Sequence, residues 1–196
     1  MRVGTKSVLF GAHCFLLHPW FVAAAWWKVY GFPFDPRLWV AFFVHDVGYL
    51  GKPNMDGPEG ESHVELGASI MGRLFGAEWG NFSRYHSRFY AKKDGRRHSR
   101  LCVADKYALV LTPTWLYLPM ARLTGEIHEY MALAQKRTAD GEPKYSSMQL
   151  ATDSHERWYF DVQEYLRRWV AQHKDGSEDT WTPDARKPQT DSGVWR

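Results

Sequence analysis

The run from Val40 to Tyr49 (Val-Ala-Phe-Phe-Val-His-Asp-Val-Gly-Tyr) constrains the fold more than any other stretch of the chain. Five apolar residues lead into His45 and Asp46, and Gly48 breaks the regular structure two residues later. An imidazole and a carboxylate at the end of an apolar helix are costly to bury unless they are paired or hold a cation. A chain that folds around this run must therefore bring further polar side chains to the same interior point.

With 196 residues, 44% of them hydrophobic, the chain can bury one core, so a single domain is expected over residues 1–173, followed by a polar tail over 174–196. Ten Trp suggest a dense core or a pocket walled by rings. Cys14 and Cys102 make no disulfide framework, which suits a reduced, cytoplasmic protein. The net charge of +3 is uneven, because Arg84 to Arg100 holds seven Lys/Arg against the single acid Asp94. Such a run is a solvated loop or a phosphate-facing patch. Val8 to Trp27 is apolar enough to raise a signal peptide or membrane anchor. His13, His18 and Pro19 interrupt it and no charged flank follows Lys28, so a buried amphipathic helix pair is expected and no membrane partner.

Taken in order, Ser7 to Leu17 reads as a short helix and Pro19 to Tyr30 as a second, closed by Gly31 and Pro33. Asp35-Pro36 is a helix start, an N-cap acid followed by Pro at the first helical position. That helix runs to the His-Asp pair, and Lys52 to Gly60 is a loop on its turn residues. Further helices are expected over Glu61–Phe75, Trp79–His86, Ser99–Leu111 (with Asp105 just off the apolar face), Trp115–Lys136 bent at Pro119, and Ser154–His173. Arg137 to Ser147 reads as a polar loop, and the tail as unstructured or packing through Trp181 or Trp195. No strand pattern, internal repeat or glycine-rich phosphate loop is present, so the fold class is all-α, an irregular helical bundle.

His18, His45, Asp46, His63, His86 and Asp105 each fall on a different expected helix or helix end, the adjacent pair apart. A bundle lets such side chains converge. Mixed His and carboxylate donors suit Mn, Fe, Co, Ni or Zn. A metal held by three or four of them, with positions left for water, supplies hydroxide near neutral pH. His13, His98, His128, His155 and His173 read as ordinary surface or core histidines, although His13 rivals His18 for the first position.

The order His, His-Asp, His, His, Asp resembles the HD-domain superfamily of metal-dependent phosphohydrolases, over about Leu17 to Leu111. His45-Asp46-Val-Gly resembles the family's His-Asp-hydrophobic-Gly signature. His63-Val-Glu-Leu-Gly-Ala68 resembles its His-x-x-x-Gly-Ala helix, and Val103-Ala-Asp105 its closing stretch. The resemblance implies an HD-type bundle with His18, His45, Asp46 and Asp105 as core ligands. Asp46 would bridge to a second metal on His63 and His86, giving two divalent transition metals. The Gly-Tyr-Pro signature of the cyclic-dinucleotide branch is absent, and Tyr85 stands where many members carry the first His of a pair.

The expected activity is hydrolysis of a nucleotide or cyclic (di)nucleotide phosphate ester by metal-activated water. Lys52, Arg88, Lys92 and Lys93 are the candidate phosphate holders, and Glu59 or Glu61 would orient water or a ligand histidine. Trp20, Tyr49, Phe89 and Tyr90 are candidates to stack on a base. The partner is then a small phosphorylated molecule, and a homo-oligomer is compatible with the chain. Two rivals stand beside this reading. One is an HD-type diiron oxygenase on a small phosphorylated or polyol substrate, which uses the same six ligands. The other is a non-catalytic protein that binds or sequesters a nucleotide. Nucleic-acid binding rests on the basic run alone, which carries no reading motif.

Overall fold

The computed structural model describes residues 1–56, 58–139 and 150–176. Among them there is no strand. The helices are α1 (Val3–Phe10), α2 (His18–Tyr30), α3 (Pro36–Val44), α4 (Pro58–Glu61), α5 (Val64–Phe75), α6 (Ala77–Arg84), α7 (Arg88–Lys93), α8 (Arg100–Leu111), α9 (Thr114–Thr124), α10 (Glu126–Ala139) and α11 (His155–His173), with a 3-10 turn at Val47–Tyr49. The fold is all-α, as its residue pattern requires.

Local chemistry sets the helix ends. Asp35 accepts from the Arg37 amide at 2.9 Å and caps α3, and Ser87, Ser99 and Ser154 cap α7, α8 and α11 in the same way. Gly31, Gly76 and Gly125 leave α2, α5 and α9 with φ between 85° and 92°, where a side chain would be strained.

Several expected boundaries move. The first helix is Val3–Phe10, four residues earlier than the apolar pattern implied, and Gly11 to Leu17 is a chain of turns. The helix expected from Glu61 is split, so His63 sits between α4 and α5 at the N-cap of α5. Trp115 to Lys136 is two helices broken at Gly125, while Pro119 lies inside α9 without ending it. The basic run holds a short helix, α7. The expected polar loop begins later, since α10 reaches Ala139, and residues 140–147 lie outside the described residues. So do Trp181 and Trp195; Lys174 to Gly176 follow α11 as a turn.

The main core joins α2, α3, α5 and α8 through Val22, Ala25, Phe42, Met71, Leu101 and Ala104, all fully buried. A second cluster joins α9, α10 and α11, where the rings of Tyr117 and Tyr159 stack at 4.0 Å. Between the two runs α8, which packs on α2 and on α11. Residues 101 to 105 are consequently all buried, Asp105 included, instead of showing one apolar face. A carboxylate driven into the middle of this helix sandwich needs partners.

Candidate metal centre

The ends of α2, α3, α5 and α6 and the middle of α8 deliver those partners. His18 opens α2, His45 and Asp46 follow α3, His63 precedes α5, His86 follows α6, and Asp105 stands in α8. All six are buried. Two close approaches of backbone make the convergence possible. A Cβ on Gly48 would lie 1.9 Å from the His63 carbonyl oxygen, and one on Gly67 would lie 2.7 Å from the Val44 oxygen and 3.0 Å from the His45 Cα. The glycines after the His-Asp pair and after His63 are thus the surfaces by which the two ligand-bearing segments touch.

Three of the histidines are oriented by one device. His45, His63 and His86 turn Nδ1 to the carbonyl three residues before them, on Phe42, Gly60 and Ser83, at 2.9, 2.7 and 2.5 Å. A carbonyl only accepts, so each Nδ1 carries a proton and each Nε2 is the nitrogen turned toward the centre. This is the arrangement of a metal-ligating imidazole with its other nitrogen held by the backbone.

The Nε2 atoms meet the carboxylates in two groups. His18 Nε2 lies 3.1 Å from Asp105 Oδ1 and 3.5 Å from Asp46 Oδ2, and His45 Nε2 lies 3.1 Å from Asp46 Oδ2 and 3.8 Å from Asp105 Oδ1. On the other side, His63 Nε2 and His86 Nε2 lie 3.6 and 3.4 Å from Asp46 Oδ1. Asp46 therefore divides its oxygens, Oδ2 to one group and Oδ1 to the other. Within each group one donor atom per residue lies within 4.8 Å of all the others. Donors held about 2.1 Å from a common ion stand roughly 3.0–3.4 Å apart along the edges of its coordination polyhedron, so these spacings suit a metal.

Two further observations test the fit. His45 Nε2 and Asp46 Oδ2 are fully buried without a hydrogen-bond partner, although they lie 3.1 Å apart. His63 Nε2 and His86 Nε2 face each other at 3.0 Å. With both Nδ1 protons committed to carbonyls, two lone pairs meet there, and only a cation or a shared proton relieves them. The buried His and Asp groups fit a metal ion.

Electrostatics agree. Burial pushes the His45 imidazole down, but Asp46 and Asp105 outweigh it and raise the group to about 10. Burial and then the neighbouring His86 hold His63 well below its ordinary value, and burial also lowers His18 against the pull of Asp105. Burial would raise Asp46 and Asp105, yet His45 beside the first, and Lys106 with His18 beside the second, hold both well below the carboxylate range.

The other expected site residues surround this centre at varied distance. Lys52 donates to Ser62 Oγ at 2.5 Å, next to His63. Arg88 donates to Tyr165 OH at 3.0 Å and lies over the Trp169 ring. Lys92 is half-buried on α7, and Lys93 is exposed with its ammonium over Tyr90. Glu61 accepts from Ser87 Oγ at 2.8 Å, and burial raises its carboxyl. Glu59 is exposed and accepts from Asn54, away from the six ligands. Tyr49 does not stand free for a base: its ring stacks on His63 at 3.9 Å. Trp20 is exposed on α2, and Phe89 and Tyr90 pack edge to face on α7.

His13 is not among the ligands. Its Nδ1 faces Ser7 Oγ at 2.9 Å and Glu126 Oε2 at 3.6 Å, while its ring lies 5.6 Å from that of His18. Glu126, fully buried, also accepts from the Ala12 amide and from the Ser7 and Thr124 hydroxyls. This support of the turn before His18 comes from α10, more than a hundred residues away, and no local pattern announces it. Lys106 was missed too: its Nζ lies 2.9 Å from Asp105 Oδ2, visible in sequence only as the residue after a ligand. A narrow cavity of about 10 Å³ touches the centre, lined by His13, His18, His45, Asp46, Phe15 and Phe43 among others.

No family model matches the chain, and neither the curated proteins nor the solved structures compared with it include a match.

Proposed function

We propose that the chain is an HD-type metal-dependent phosphohydrolase that cleaves a nucleotide or cyclic (di)nucleotide phosphate ester. One observation carries the reading: Asp46 turns one oxygen to His18 and His45 and the other to His63 and His86. A single carboxylate shared between two nitrogen-rich groups suits a pair of divalent ions. Such ions lower the pKa of water and stabilise charge on a transferring phosphoryl group.

The protein's own residues would then have separate tasks. His18, His45 and Asp105 hold one side of the centre and His63 with His86 the other, with Asp46 between. The carbonyls of Phe42, Gly60 and Ser83 keep three of the rings from rotating. Lys106, with Lys52 and Arg88 nearby, supplies fixed positive charge for phosphate oxygens. Glu61, raised by burial and held by Ser87, is the carboxylate suited to exchanging a proton with water at Oε1 or Oε2.

The test pairs a screen with one variant. Nucleoside mono- and triphosphates, cyclic nucleotides and cyclic dinucleotides are offered with Mn, Fe, Co, Ni and Mg, following phosphate and nucleoside release. Asp46→Ala should lose turnover and metal content together, because it removes a donor from both groups. Full turnover in that variant overturns the site. Dioxygen consumption without phosphate release in the native protein overturns the hydrolytic reading in favour of oxidation.

A further inference from the structure

The apolar stretch that begins the chain is only half used by the core. Of sixteen large apolar side chains exposed among the described residues, nine lie between Leu9 and Phe34. They are not scattered. Along α2 the exposed apolar positions are Trp20, Ala24 and Trp27, with Leu17 just before them, a spacing of three and four residues that draws one outer stripe. Trp20 is 57% and Trp27 62% exposed. At the N-terminal end the turn before α2 adds Leu16, 71% exposed, and Phe15. At the other end Trp27 packs edge to face on Phe32, and Phe32 on Phe34, which is 85% exposed. Trp20 also meets Trp39 and Phe43 of α3 edge on, so the stripe widens there. A contiguous apolar surface of this kind is not left to water without a use.

The charge of this part of the chain favours one occupant. Before His45 the chain carries Arg2, Lys6, Lys28 and Arg37 against one acid, Asp35. Asp35 is already taken by Arg37, which reaches both of its oxygens. Lys28 follows Trp27 on the exposed side of α2, with its ammonium 5.8 Å from the Tyr107 ring centroid at the margin of the stripe, and half-buried Lys6 stands one turn before Phe10 on α1. A second copy packed on this stripe across a two-fold axis would add its own Lys6 and Lys28 to the same seam, with no free acid of the stripe to meet them, since Asp35 and Arg37 neutralise each other. A bilayer surface carrying anionic lipid meets both features at once, because Trp and Phe settle at the headgroup boundary and Lys and Arg face the phosphates.

We propose that the outer face of α2, with the turn before it and the segment after it, docks the protein on an anionic lipid surface. No helix among the described residues is long and apolar enough to cross a membrane, so the contact is peripheral. Docking would turn the Phe15 and Phe43 side of the metal centre toward the lipid.

The experiment is flotation of the full chain with vesicles of phosphatidylcholine alone and with about 30 mol% phosphatidylglycerol added, at low and high salt. The native chain should float with the anionic vesicles and lose much of that binding at high salt. The variant Trp20→Glu with Trp27→Glu should bind at least tenfold more weakly, with circular dichroism and metal content unchanged, since both rings lie outside the ligand set. Lys6→Gln with Lys28→Gln, which leaves the apolar stripe intact, should weaken binding on the order of tenfold. Failure of the native chain to float with anionic vesicles overturns the proposal, as does equal flotation of the Trp variant. A native dimer in light scattering that the Trp variant dissolves, without flotation of either, assigns the stripe to a second copy and overturns it too.

Discussion

Gly48→Ala tests the architecture of the metal centre without touching a ligand. The added Cβ would stand 1.9 Å from the His63 oxygen, 2.7 Å from its carbonyl carbon and 3.0 Å from its Cα. All three are backbone atoms and cannot rotate away. Ordinary contact between heavy atoms is about 3.5 Å, so the segment must retreat by roughly 1.6 Å. His63 rides on it, and its Nε2 stands 3.0 Å from His86 Nε2 and 3.6 Å from Asp46 Oδ1. Metal sites hold their distances to within about 0.2 Å, so a shift several times larger disables the His63 and His86 side while leaving His18, His45 and Asp105 in place. Overpacking of this kind costs about 1–3 kcal/mol. For a chain of this size that lowers Tm by about 3–10 °C. The assay is elemental analysis of metal per chain after dialysis, with calorimetry, on native, Gly48→Ala and Gly72→Ala proteins. Gly72 is the control, since its Cβ would meet only Gly80 Cα at an ordinary 3.7 Å. With two ions bound as proposed, Gly48→Ala should lose about half the metal and keep native circular dichroism at low temperature. A variant with native Tm and full metal content refutes the claim that this backbone contact sets the spacing of the centre.

Three other outcomes are expected. His45 is raised to about 10, so at pH 8 the metal-free chain holds a proton there that a ligand imidazole must give up. Metal binding should release about one proton per chain, read by titration calorimetry in two buffers of different ionisation enthalpy; equal heats in both contradict it. His63 is held well below its ordinary value, so it stays neutral while the unfolded chain takes up a proton below about pH 6.5. The metal-free fold should therefore lose about 1 kcal/mol through this group as pH falls from about 6.5 to about 5.5. His45, being raised, contributes its stability in full below 6.5 and adds no slope there. Denaturant midpoints that stay level across that window count against the burial of neutral histidines. Glu126→Ala leaves the Ala12 amide, Ser7 and Thr124 without their buried acceptor, so urea unfolding should show a loss of about 3 kcal/mol.

The class of the fold was legible because helical period, capping acids and closing glycines agree along the chain. Asp35-Pro36 and the glycines at 31 and 76 act where expected. What misled was apolar content read without its partners. Ser7 to Leu17 is apolar throughout, yet α1 stops at Phe10, because the Glu126 carboxylate caps the turn that follows by binding Ala12. Arg88 to Lys93 looked like a charged loop, but Ser87 caps it and Tyr90 and Ala91 are buried beneath it. Likewise, residues 101 to 105 of α8 are buried on every side because two helices sandwich it, a fact no single-helix pattern holds.

The ligand series was legible for a different reason: all but Asp105 sit at a helix end or just outside one, where composition marks the position. Its physical necessity appears only in three dimensions. Asp46 and Asp105 bring two negative charges into a dry interior, and Lys106 answers only one of them directly. The four imidazoles cannot settle the remainder as neutral groups, since three have their Nδ1 protons tied to backbone carbonyls and point lone pairs inward. A proton on His45 offsets one charge but leaves the facing pair of His63 and His86 unrelieved. Divalent cations remove both difficulties, because they meet the carboxylate oxygens and the lone pairs at once. The polar pair that opens the problem in the sequence is thus stable in the fold on one condition, that positive charge is present between Asp46 and the rings that surround it.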